Sequence, residues 1–142
     1  MTKLYLSFFL MIFTLTSPAQ GGYEQEHPID DILNECREAV GSNTESSIQC
    51  EYSARIAWEK EVDKYYKMLL EVLKPEEKKQ FKATHKSWVI YRDEEMAFAG
   101  LLYKNMDSKA WLVIHAARLT AIIRTRALEL QEYHEMAIFD PD

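Results

Sequence analysis

A chain of 142 residues, 47% hydrophobic and 28% charged, has room for one domain with one core. Its formal net charge of −6 and pI near 5.3 argue against nucleic acid and anionic membranes as partners. Two cysteines without a Cys-x-x-Cys spacing exclude both a disulfide-dense scaffold and a redox-active pair.

The N-terminus reads as an export signal. Lys3 precedes an apolar run from Leu4 to Leu15, and Ser17-Pro18-Ala19 supplies small residues for a signal peptidase. The run is shorter than the about 20 residues a bilayer span requires. No cysteine stands at the cleavage point to carry a lipid, so no stable membrane anchor is expected. Residues 1–19 are therefore expected to be removed near Ala19, leaving a periplasmic or secreted protein. In such an oxidising compartment Cys36 and Cys50 are expected to pair. Closing a loop of about 15 residues contributes on the order of 3 kcal/mol in the chain-entropy model.

Removal of Lys3 takes the net charge from −6 to −7. All of that excess lies in residues 20–51, where eight acidic residues face Arg37 alone. Residues 52–142 balance. The segment containing Glu35, Glu38 and Glu45 is thus the expected contact for a cationic partner, such as a basic protein.

Residues 20–27, with Gly21-Gly22, predict a flexible lead-in. Pro28 suits the first position of a short helix ending near Val40, with Asp30 and Asp31 at its positive end. Gly41-Ser42-Asn43-Thr44 follows as a turn. Trp58, Val62, Tyr65, Tyr66, Leu69 and Leu73 keep helical spacing, predicting a second helix over about 46–73. Lys74-Pro75 breaks it, and Pro75-Glu76-Glu77 starts a third. That helix is expected to run through Trp88 to about Ala99 and loosen at Gly100. After a turn at 105–108, Trp111, Ile114, Leu119, Ile122 and Leu128 mark a fourth helix ending near Tyr133, with 137–142 as a frayed tail. The expected fold over residues 28–136 is all-α, an antiparallel bundle of three long helices plus a short disulfide-tied N-terminal helix.

In His85-Lys86-Ser87-Trp88-Val89-Ile90-Tyr91-Arg92-Asp93, helical spacing puts Trp88, Tyr91 and Arg92 on one face. This face predicts a core tryptophan with its arginine held by polar groups, the alternative being a binding site built on the same face. Taking Asp107 as a mirror point pairs Met96 with Arg118, Trp88 with Arg126 and His85 with Glu129. The four histidines lack metal spacing, and the four glycines form no phosphate loop. Asp93-Glu94-Glu95 cannot converge on one bond, because successive helical residues diverge by about 100°. Lys78, Lys82 and Lys86 form an ordinary basic surface stripe. No enzyme, cofactor or metal is expected.

The pattern Trp-x-x-Tyr-Arg-Asp at Trp88, Tyr91, Arg92 and Asp93, with His85 in place of a usual glutamine, resembles the LprI-like lysozyme-inhibitor family of small secreted bacterial proteins. Cys36 and Cys50 resemble that family's first cysteine pair, and Val62-Asp63-Lys64-Tyr65-Tyr66 resembles its Leu-Asn-x-x-Tyr. Arg124-Thr125-Arg126-Ala127-Leu128-Glu129-Leu130 is similar to its Arg-x-Arg-x-x-Glu-Leu ending. Met96 and Arg118 stand where many relatives carry a second cysteine pair. The resemblance implies a secreted protein that binds a wall-degrading lysozyme, the alternative being a non-inhibitory envelope or extracellular interaction module.

Overall fold

A computed structural model describes residues 27–139. The expected export signal, most of the lead-in and the last three residues lie outside the described residues. Four helices follow one another: α1 Pro28–Val40, α2 Thr44–Val72, α3 Pro75–Lys104 and α4 Ala110–Ile138. The described residues contain no strand, and the all-α expectation holds.

Local chemistry sets most of the boundaries. Pro28 opens α1, and His27, read from sequence as part of the lead-in, caps it by accepting from the Ile29 N–H at 3.2 Å. Gly41 ends the helix at φ 55°, a conformation that L side chains rarely adopt. Asn43 caps α2, its Oδ1 accepting from the Ser46 N–H at 2.9 Å. Pro75 opens α3, and the Lys74 N–H donates to the Glu77 carboxylate at 2.8 Å. The expected loosening at Gly100 does not occur, and α3 continues to Lys104. One glycine costs a helix only about 1 kcal/mol, too little to end one this long. Helix α4 likewise passes Tyr133 to reach Ile138.

The core lies between α2 and α4, which pack along most of their length. Trp58, Val62 and Leu69 of α2 meet Ile123, Ala127 and Leu130 of α4, all buried. The two helices run parallel. Thr120 Oγ1 lies 3.1 Å from the Glu51 carbonyl, and the rings of Tyr65 and His134 are 6.1 Å apart, so both contacts carry one sequence offset. Helix α3 is antiparallel to both, as its place between them demands.

Helix α3 stands further out. Ala99 is its only buried residue, and its backbone approaches α2 sparsely. Bulky rings fill the gap: Tyr66 of α2 packs on Phe81 and His85 of α3 at centroid distances of 5.2 and 4.3 Å. The mirror register between α3 and α4 holds to within a residue. Arg118 pairs with Glu95 at 2.8 Å rather than meeting Met96, which instead packs on the core.

Candidate functional site

Two parts of the surface gather the residues that the sequence singles out. The first is α1. The Cys36–Cys50 disulfide ties it to the first turns of α2, with Cα atoms 5.8 Å apart. At its other end, Arg124 of α4 grips Asp30 with both Nε and Nη2, at 2.8 to 3.0 Å. The His27 ring lies on Trp58 at 4.4 Å, so the helix is fastened at three points. Sequence reasoning missed the last two, because their partners are distant in the chain.

These fastenings sort the acidic residues into two classes. Glu51 is buried and ion-paired with Arg37, and Asp30 belongs to Arg124, so neither presents free charge. Asp31, Glu35 and Glu38 are exposed and recur at four and three residues along one face of α1. Glu45 is exposed across the turn, in the first turn of α2. The exposed Ile32 lies beside this stripe, 65% accessible. The structure therefore leaves Glu35, Glu38 and Glu45 outward-facing and adds Asp31 to them.

The second part is the Trp88 centre between α3 and α4. Trp88 is only partly buried, against the expectation of a core position, because α3 stands off from α2. The fully buried tryptophan is Trp58. Two guanidiniums flank the Trp88 indole, Arg92 at 5.3 Å and Arg126 at 5.5 Å from the ring centroid. Arg92 donates from Nε to Asp93 at 2.8 Å. Arg126 is 5% accessible, and its Nη1 donates to Glu129 at 3.2 Å. Its Nε and Nη2 are buried without a partner in the structure.

His85 does not meet Glu129, which is engaged by Arg126. Its ring is instead surrounded by Tyr66, Phe81 and Trp88. Burial, then the nearby positive charge of Arg126, hold its pKa below the usual histidine value. The exposed Tyr91 joins Trp88, Arg118, Arg126 and Glu129 around a depression of about 270 Å³. The motif residues of α3 and α4 thus converge, although nothing in their arrangement pairs a nucleophile with a base. Among the described residues no group of three or more His, Cys, Asp or Glu could hold a metal ion, and no helix is long and apolar enough to cross a membrane.

Comparison with solved structures finds an uncharacterised protein from Burkholderia thailandensis, with a TM-score of 0.77 and 23% identity. The alignment covers 82% of this chain and 57% of that one, so this chain spans little more than half of its structural relative. At this identity the likeness speaks for the fold. Comparison with curated proteins finds no match. The family model described as lysozyme inhibitor LprI matches residues 36–130, from the disulfide cysteine of α1 to the last core leucine of α4. With most of the folded chain inside that match, the protein belongs to the LprI lysozyme-inhibitor family.

Proposed function

We propose that this protein is exported, binds a cationic wall-degrading lysozyme and inhibits it, using the acidic face of α1 as its first contact. The observation that carries the inhibitor reading is the family match over residues 36–130. The choice of surface is supported by the outward stripe of Asp31, Glu35 and Glu38, with Glu45 beyond the turn. A basic partner approaching this face meets charge that no internal guanidinium neutralises. The disulfide and the Asp30–Arg124 pair fix the stripe in advance, reducing the ordering cost of binding. The protein acts by occupying its partner, without chemistry of its own. The signal-like residues 1–19, cut near Ala19, deliver it to the periplasm or the exterior, where lysozyme acts.

The test is cell-wall lysis by a panel of lysozymes with the mature protein added. Wild type should slow lysis by at least one basic lysozyme, and changing Glu35, Glu38 and Glu45 together to Gln should raise the concentration needed about tenfold. Inhibition undiminished in the triple variant would remove the acidic face from the mechanism. Absence of inhibition across the panel would leave a non-inhibitory interaction module in its place.

A further inference from the structure

At the end of the bundle where α2 and α4 finish, α3 leaves open a groove of about 650 Å³. That volume lies within the range of about 300–1,000 Å³ typical of small-molecule sites. Leu69 and Leu73 of α2, Phe81 of α3, and Tyr133 and Met136 of α4 make its walls largely apolar, while Lys74 and Glu77 bring one charge of each sign, the Glu77 carboxylate being held by the Lys74 N–H. Tyr133 and Met136 are 47% and 56% accessible, although each has neighbours in the groove that a guest would complete. The remaining contributor of interest is Arg126.

An arginine in that position is out of keeping with its surroundings. A guanidinium has five N–H donors, and burying them unmatched is costly. Arg126 satisfies one through Glu129, rests against the Trp88 ring, and leaves Nε and Nη2 without a partner. Nε and one N–H of Nη2 are the pair of donors that carboxylates engage in a two-pronged bond. A buried unmatched fork beside an apolar groove describes a site for a molecule with an anionic head and a hydrocarbon tail.

We propose that this groove binds a small single-chain anionic amphiphile, its carboxylate taken by Arg126 and its tail lying along Leu69, Leu73, Phe81 and Met136. The two unmatched nitrogens are buried, and Arg126 itself forms part of the groove lining. Of the long helices α3 is the least tightly packed, so a small outward shift of its first turns admits the head. The groove lies at the far end of α2 from the disulfide and the acidic stripe, so this site is separate from the proposed lysozyme contact.

The test is calorimetric titration of the mature protein with octanoate, decanoate and dodecanoate below their micelle-forming concentrations, and with dodecanol as the uncharged control. Affinity should rise about fourfold for each added methylene, since each one buried is one removed from water. Dodecanoate should bind at least tenfold more tightly than dodecanol. Arg126→Met should keep the helical signal, because methionine suits the same apolar surroundings, and should abolish the preference for the carboxylate. Ala137→Trp, at an exposed position on the rim, leaves the arginine in place and should weaken every ligand of the series by tenfold or more. Equal affinity for dodecanol, a carboxylate preference that survives Arg126→Met, or affinity unchanged by Ala137→Trp would overturn the proposal. So would a failure of dodecanoate to saturate, including the case where only a peptide carboxylate binds.

Discussion

Tryptophans 58 and 88 show how differently one residue type can be used in the same bundle. Trp58 is fully buried between α2 and α4, with the His27 ring at 4.4 Å and the Arg124 guanidinium at 5.6 Å. Trp88 lies between two guanidiniums on a helix that hardly enters the core. Truncating a fully buried tryptophan costs about 3–5 kcal/mol. Trp58→Ala should fall in that range, and urea denaturation should give about 1–3 kcal/mol for Trp88→Ala, whose ring has less area to lose. A larger loss for Trp88→Ala than for Trp58→Ala would mean that α3 packs more tightly than its side chains indicate. Helical spacing places both tryptophans on core-facing stripes, because it identifies a shared face but not how close the neighbouring helix comes. The large rings of Tyr66, Phe81 and His85 hold the helices apart, and only their three-dimensional arrangement reveals it.

At the scale of elements, the helices themselves were legible because their ends are written in local chemistry. Proline at 28 and 75, glycine at 41 and asparagine at 43 each act on the backbone within a few residues. The register of α3 on α4 was legible too, since a short connection leaves little freedom, and Trp88 does meet Arg126. The anchoring of α1 was only half legible. Its disulfide follows from two cysteines and the expected export, whereas Asp30–Arg124 spans 94 residues and leaves no local trace. The unmatched donors of Arg126 were likewise invisible, since Arg-x-Arg spacing says nothing about partners. These anchors predict how α1 comes loose. Changing both cysteines to Ser should lower stability by about 3 kcal/mol, the loop-closure contribution. Far-UV circular dichroism should nevertheless keep most of its helical signal, because the α2–α4 core lies outside the loop. Amide exchange should quicken mainly in α1, and global unfolding at ambient temperature would contradict a core independent of the disulfide.

Across the whole molecule, charge is distributed more unevenly than the net value suggests. Residues 52–142 are balanced, while the excess is confined to one segment. Within that segment the fold neutralises Asp30 and Glu51 internally and turns Asp31, Glu35, Glu38 and Glu45 outward. A balanced body with one acidic face acts as a directional field, which speeds encounter with a basic partner in one orientation more than it tightens the final complex. That distinction is measurable by surface plasmon resonance on an inhibited lysozyme. Raising salt shortens the screening length from about 30 Å at 0.01 M to about 8 Å at physiological strength. The association rate should therefore fall about tenfold across that interval while the dissociation rate changes far less. In the Glu35, Glu38 and Glu45 to Gln variant the association rate should start lower and respond weakly to salt, since Asp31 alone remains of the outward group. A salt response confined to dissociation would place the charges inside the final interface, with steering playing no part. A response that the triple variant leaves intact would assign the field to other residues, and the acidic face of α1 would lose its role.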